Sequence, residues 1–127
     1  MQFHLVRTIP ALVWMLAIFV MSSRSQVPQP PGLSIQLVAI GGHFAAYGLL
    51  AILVAFAVPQ CVRQFASRAA VAFIVTVLYG VSDELHQSFV NGRHASVGDV
   101  VVDALGALTG IGVLYLVTRW RNERLTT

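Results

Sequence analysis

The chain of 127 residues is 57% hydrophobic and only 10% charged, with a mean hydropathy of +0.76, whereas a soluble domain averages roughly a quarter charged residues; an ordinary water-soluble fold and a disordered chain are both excluded. All eight basic residues are arginine, against five acids, giving a net charge of +3 and a pI near 9.8, but the arginines sit at the ends of apolar runs and form no stripe, which argues against nucleic acid as a partner. The single cysteine, Cys61, excludes an internal disulfide framework and a cysteine metal site, and the length suits one compact unit, 1–127.

Runs of about 20 apolar residues are what an α-helix needs to cross roughly 30 Å of hydrocarbon. Four such runs are expected, over about Phe3–Met21, Leu37–Val58, Ala69–Phe89 and Val97–Val117. Arg7 lies close enough to the start of the first to snorkel. The second carries no formal charge, the third ends in the polar stretch SDELHQ, and the fourth opens with acids before DALGALTGIGVLYLV. Continuous apolar runs without period-2 alternation read as helices, because lipid satisfies no backbone hydrogen bonds. The loops agree: PQPPGLS follows the first run, Pro59 and Cys61 to Arg68 separate the second from the third, and Asn91-Gly92 supplies a turn before the fourth. Arg7 ahead of an apolar core also fits a secretory signal peptide, but SSRSQ is a poor cleavage site and the spanning reading is preferred. The expected fold is all-α, a four-helix transmembrane bundle.

Arg7, Arg63, Arg68, Arg119, Arg121 and Arg124 fall on one side of this arrangement and only Arg24 and Arg93 on the other. By the positive-inside rule both termini are expected in the cytoplasm, and the chain is expected to be a multi-pass protein of the bacterial inner membrane. Trp120 sits where an interfacial anchor belongs.

With that topology the polar residues converge on the outer third of the bundle. His43 and Tyr47 lie near the start of the second helix, after Ser22 and Ser23 at the end of the first. Asp83, Glu84 and Gln87 close the third helix, Arg93 is in the short loop, and Ser96, Asp99 and Asp103 open the fourth. His43 with Tyr47, Asp83 with Gln87, and Asp99 with Asp103 are each i, i+4 pairs, so each helix shows one polar stripe. On the fourth helix the stripe continues through Gly106 and Gly110, a small-xxx-small surface that admits a neighbouring backbone; Gly80 does similar service below Glu84.

Simpler roles compete with a functional one. Ser96 reads first as an N-cap, with Asp99 three residues on resembling the partner in a capping box. His43 alone fits a satisfied interfacial histidine and Tyr47 an aromatic-belt residue. His86 is about 100° off its acidic neighbours and His94 is in a loop, so both read as solvated. Trp14 reads as core or lipid contact. The acids resist such readings, since each ionisable group at the centre of a span costs about 2.5–3.5 kcal/mol. Either Arg93 folds over Glu84 or Asp99 as a structural latch, or the cluster serves a ligand or a reaction.

The stretch YGVSDELHQSFVNGRHASVGDVVVDALGALTG resembles the VanZ-like family of small bacterial membrane proteins. Its hallmarks, an acid-Glu-x-x-Gln helix end, an Arg in a short loop, a Ser-x-x-Asp helix start and a glycine in the last helix, match Asp83, Glu84, Gln87, Arg93, Ser96, Asp99 and Gly106. The family's His-x-x-x-Tyr is matched by His43 and Tyr47, and Ser22-Ser23 after a Trp-containing helix fits too. The chain departs from the family pattern at Gly41-Gly42, where a Lys often precedes the His, at Asp103, often Asn, and at Asn91-Gly92-Arg93, often Pro-Gly-Arg. The resemblance implies a link to resistance to the glycopeptide teicoplanin. A phosphotransbutyrylase label carried by some relatives has no phosphate loop here to support it.

The leading expectation is a protein that binds or modifies a lipid-linked envelope component, such as a lipid-linked precursor or a glycolipid, at the outer leaflet. Arg93 would hold a phosphate or carboxylate, with His43 and Tyr47 donating hydrogen bonds. An intramembrane hydrolase or transferase is the first alternative, in which the carboxylates and His43 do acid-base work or hold a divalent cation. No nucleophile elbow, H-E-x-x-H or P-loop supports a reaction class, and neither a cofactor nor a resident metal is assigned. A non-catalytic assembly subunit with an Arg-carboxylate latch is the second alternative. The expected partner is the lipid bilayer, and the sequence leaves an oligomer of further copies open.

Overall fold

Four α-helices carry the chain: α1 Gln2–Ser22, α2 Ile35–Ala57, α3 Phe65–Gln87 and α4 Val97–Leu125. They were described in a computed structural model that covers residues 2–25, 31–32, 34–59, 61–62 and 64–125; Arg63, one of the topology-setting arginines, lies outside the described residues. The protein is all-α. Among the described residues α2, α3 and α4 are each long and apolar enough to cross a membrane, while the apolar stretch of α1, Val6–Ser22, is shorter.

The helix limits follow local chemistry. Ser34 caps α2 by accepting a hydrogen bond from Leu37 N–H at 3.3 Å, and Pro59, which cannot donate, follows the C-cap Val58. The sequence places the end of the last helix near Val117, but α4 continues to Leu125. No glycine or proline interrupts that segment, and Arg119 pairs with Glu123 at 2.9 Å across one turn. Arg124 stacks over the Trp120 ring at 3.9 Å. At the same end of the bundle, α3 starts at Phe65, four residues before the expected Ala69.

Consecutive helices run antiparallel. Arg68, in the first turn of α3, donates to the Ala55 carbonyl near the end of α2 at 2.8 Å, and the Phe65 ring lies 5.3 Å from that of Tyr115 near the end of α4. α2 is the central helix: it packs on α1, α3 and, most intimately, α4, whereas α1 meets α2 and more lightly α3. The α2–α4 contact is close because Gly106 and Gly110 lie directly against the backbone of Phe44 and Gly48, leaving no space for a β-carbon. Trp14 Nε1 donates to Ala46 O at 2.9 Å and the Tyr79 hydroxyl to Met15 O at 2.6 Å, tying α1 to α2 and α3.

Burial is inverted relative to a soluble protein. The buried face of α3 is Ala72, Thr76, Gly80, Asp83, Glu84 and Gln87, while Leu78 and Leu85 on the same helix, like Leu12 and Leu16 on α1 and Leu105 and Leu116 on α4, point outward and are exposed. Water would penalise that surface; hydrocarbon does not.

Candidate functional site

The antiparallel order brings the end of α1, the start of α2, the end of α3 and the start of α4 to one end of the bundle, and the polar residues meet there. His43 Nδ1 lies 2.9 Å from Asp103 Oδ1, joining α2 to α4. Where Nδ1 donates to the Asp103 carboxylate, the neutral imidazole carries its lone pair on Nε2. Asp103 is fully buried, and it fits because Gly80 faces it: a β-carbon there would come within 2.9 Å of Asp103 Oδ2.

One helical position further around, Asp83 Oδ2 accepts from the Tyr47 hydroxyl at 3.2 Å and from Gln87 Nε2 at 2.9 Å. Tyr47 is 1% exposed, so it is a core residue of the cluster rather than an aromatic-belt residue, and its ring stacks parallel to that of His43 with centroids 6.0 Å apart. Glu84 faces the α3–α4 loop instead. Its Oε2 accepts the Ser96 backbone N–H at 2.8 Å, while Ser96 Oγ accepts from Gly98 N–H at 3.1 Å. The start of α4 is therefore capped reciprocally, with Glu84 of the preceding helix in the place that the spacing assigned to Asp99.

Arg93 is set by a tight turn. Its N–H bonds to Val90 O at 3.1 Å, and Gly92 within the turn has φ +81°, a conformation that favours glycine. The half-buried side chain reaches the polar end of a cavity of about 300 Å³ between α1, α2 and α3. Trp14, Ile18 and Met21 form one wall, Val38, Gly42 and Ala46 another, and Ser22, His43, Tyr47, Asp83, Gln87 and Arg93 supply the polar groups. Arg93 Nε is buried without a hydrogen-bond partner, and its guanidinium forms no ion pair with a described residue.

The sequence model of the VanZ/LLP1 family matches residues 2–118. The chain belongs to the VanZ/LLP1 family. Comparison with curated proteins and with solved structures returned no significant match. Family membership together with three membrane-length apolar helices makes this a membrane protein.

Of the residues that the sequence singles out, His43, Tyr47, Asp83, Gln87 and Arg93 share the main cavity of this VanZ/LLP1 protein, with Asp103 behind His43. Glu84 and Ser96 line a second recess of about 240 Å³ on the α3–α4 side. Asp99 is half-buried; a carboxylate oxygen of Asp99, one of Glu84 and a ring nitrogen of His43 all lie within 4.8 Å of one another.

Two expectations are corrected. The Arg93 latch does not form among the described residues, because Gly92 turns Arg93 toward the α1–α2–α3 cavity while Glu84 spends one oxygen on Ser96 N–H. His86 is half-buried rather than solvated: Nε2 is 3.0 Å from Ser23 Oγ and the ring lies 4.5 Å from that of Phe19. Two cavity residues, Trp14 and Ser22, were assigned no binding role. Their spacing with Ile18, at i, i+4 and i+8, puts all three on one face of α1, and that face was the available signal.

Proposed function

We propose that this VanZ/LLP1 protein receives an anionic, lipid-linked envelope component, with Arg93 gripping the phosphate or carboxylate and the groove between α1 and α2 taking the apolar chain. The observation that carries this reading is Arg93 itself. A guanidinium whose Nε is buried and unpartnered stands at the polar end of an otherwise apolar cavity. Leaving such a group unpaired is costly, and a bidentate anion is the partner whose geometry matches its fork of donors. Carboxylates nearby repel an anion, and three of the four are engaged elsewhere. Asp83 is held by Tyr47 and Gln87, Asp103 by His43, and Glu84 by the Ser96 N–H.

The arginine asymmetry supports an orientation. Arg7, Arg68, Arg119, Arg121 and Arg124 lie at the end opposite the cavity, so the cavity faces the extracytoplasmic side of a bacterial inner membrane and α1 crosses along with the other three helices. A site at that leaflet would meet lipid-linked cell-wall components, which accords with the family's association with teicoplanin resistance. The reading requires no bond-making step.

The test is binding of a polyprenyl phosphate, against the neutral polyprenol, to the protein in nanodiscs. The phosphate should bind and the alcohol should not. Arg93→Ala should weaken binding by roughly 30-fold or more, corresponding to the loss of at least about 2 kcal/mol when one partner of a buried charge pair is removed. Equal binding of both lipids, or an unchanged affinity in Arg93→Ala, would show that Arg93 is not the anion site. In expressing cells, Arg93→Lys should reduce protection against teicoplanin at unchanged protein level.

A further inference from the structure

His43, Glu84 and Asp99 come from three different helices, and one potential ligand atom from each lies within 4.8 Å of the others. All three have something left to offer. Glu84 is 5% exposed, and its Oε1 is buried with no partner after Oε2 has taken the Ser96 N–H. With Nδ1 donating to Asp103, the neutral imidazole of His43 keeps its Nε2 lone pair for a ligand. The Asp99 carboxylate makes no hydrogen bond or ion pair among the described residues. Two acids thus face each other across α3 and α4 with an imidazole acceptor between them and no described cation within ion-pair distance.

We propose that these three side chains bind one divalent first-row transition-metal ion of the Zn²⁺ or Mn²⁺ class. An imidazole with two carboxylates is a donor set for such ions, and the imidazole disfavours Mg²⁺ and Ca²⁺. Ligand bonds of about 2.0–2.2 Å put neighbouring ligand atoms about 3.5 Å apart, a contraction of the cluster that rotation of the half-buried Asp99 side chain can supply. The two carboxylate charges balance the ion.

The surroundings are those of a metal ligand. Asp103 holds the non-ligating nitrogen of His43, which fixes the tautomer and raises the basicity of Nε2. Glu84 is held by a backbone N–H. Three protein ligands leave coordination positions open, and because His43 also lines the α1–α2–α3 cavity, the ion is reachable from it. The site stands apart from the lipid reading, since it requires nothing of Arg93.

The experiment uses tag-free protein in detergent, in a Cys61→Ser background so that the exposed thiol contributes nothing. After chelator treatment the protein is equilibrated with Zn²⁺ or Mn²⁺, bound metal is counted by mass spectrometry, and affinity is measured by competition with a chromophoric chelator. One ion per chain is expected. Asp99→Asn removes a ligand without removing any hydrogen bond, so it should fold and should bind at least about tenfold more weakly; Asp103→Asn, acting through His43, should lose about 10–100-fold. Helix content by circular dichroism separates lost ligation from lost fold. Absence of bound metal, or wild-type affinity in Asp99→Asn, overturns the proposal.

Discussion

His43 on α2 and Asp103 on α4 meet at 2.9 Å, with the carboxylate fully buried and the imidazole side chain 14% exposed. The bond crosses the tightest helix pair of the protein, at the edge of the α1–α2–α3 cavity, so it both pins α2 to α4 and fixes the imidazole.

Removing either partner leaves the other buried without its hydrogen bond, at a cost of about 1–3 kcal/mol. Both His43→Ala and Asp103→Ala are expected to lower the melting temperature in detergent. The double variant should be destabilised by clearly less than the sum of the two, since the second change removes an already unpaired group.

The close approach of α2 and α4 depends on Gly106 and Gly110, which abut the Phe44 and Gly48 backbones. Gly106→Ala and Gly110→Ala should each cost about 1–3 kcal/mol through overpacking against backbone that cannot yield. Gly112, two residues on, has nothing within 4 Å of its β-carbon position. Gly112→Ala should be neutral or stabilising by up to about 1 kcal/mol from helix propensity. Thermal melts of the three variants side by side would expose the contrast.

At the start of α4, Glu84→Gln retains a carbonyl acceptor for the Ser96 N–H, whereas Glu84→Ala leaves that donor without its partner. The alanine variant should be the less stable by about 1–3 kcal/mol. Hydrogen exchange should locate the loss in residues 88–98, with Ser96→Ala giving a smaller effect of about 1 kcal/mol as a lost cap.

Gly92 sits at φ +81°, which costs an alanine about 1–2 kcal/mol. Gly92→Ala should therefore reorient or loosen the Arg93 turn. The expected signature is a loss of polyprenyl-phosphate binding out of proportion to a small drop in melting temperature.

Much of this arrangement was legible in the sequence. An apolar run of membrane length has one economical solution, a helix, because its backbone must satisfy itself, and all four helices lie where hydropathy puts them. Placing the polar residues by depth also worked: four acids, His43, Tyr47 and Arg93 do gather at one end. Hydropathy sets the start of α3 and the end of α4 short, because Arg68 and the Arg119–Glu123 pair lie beyond the apolar runs yet are accommodated within helices.

The pairing inside the cluster was not legible. An i, i+4 stripe says which residues share a face but not which neighbouring helix that face meets. Any of the four carboxylates could have taken His43, Tyr47 or Arg93. Tertiary structure chose among them: the glycine contact between α2 and α4 sets His43 against Asp103, Asp83 is left to Tyr47, and Glu84 caps the next helix. The sequence by itself determined that this chain is a helical membrane protein with four of its five acids at one end and most of its arginines at the other, because hydropathy acts locally. Which polar atoms are paired, and that Arg93 Nε has no partner among the described residues, only the packing of the helices decided, since hydrogen bonds depend on ångström-scale distances between segments far apart in the chain.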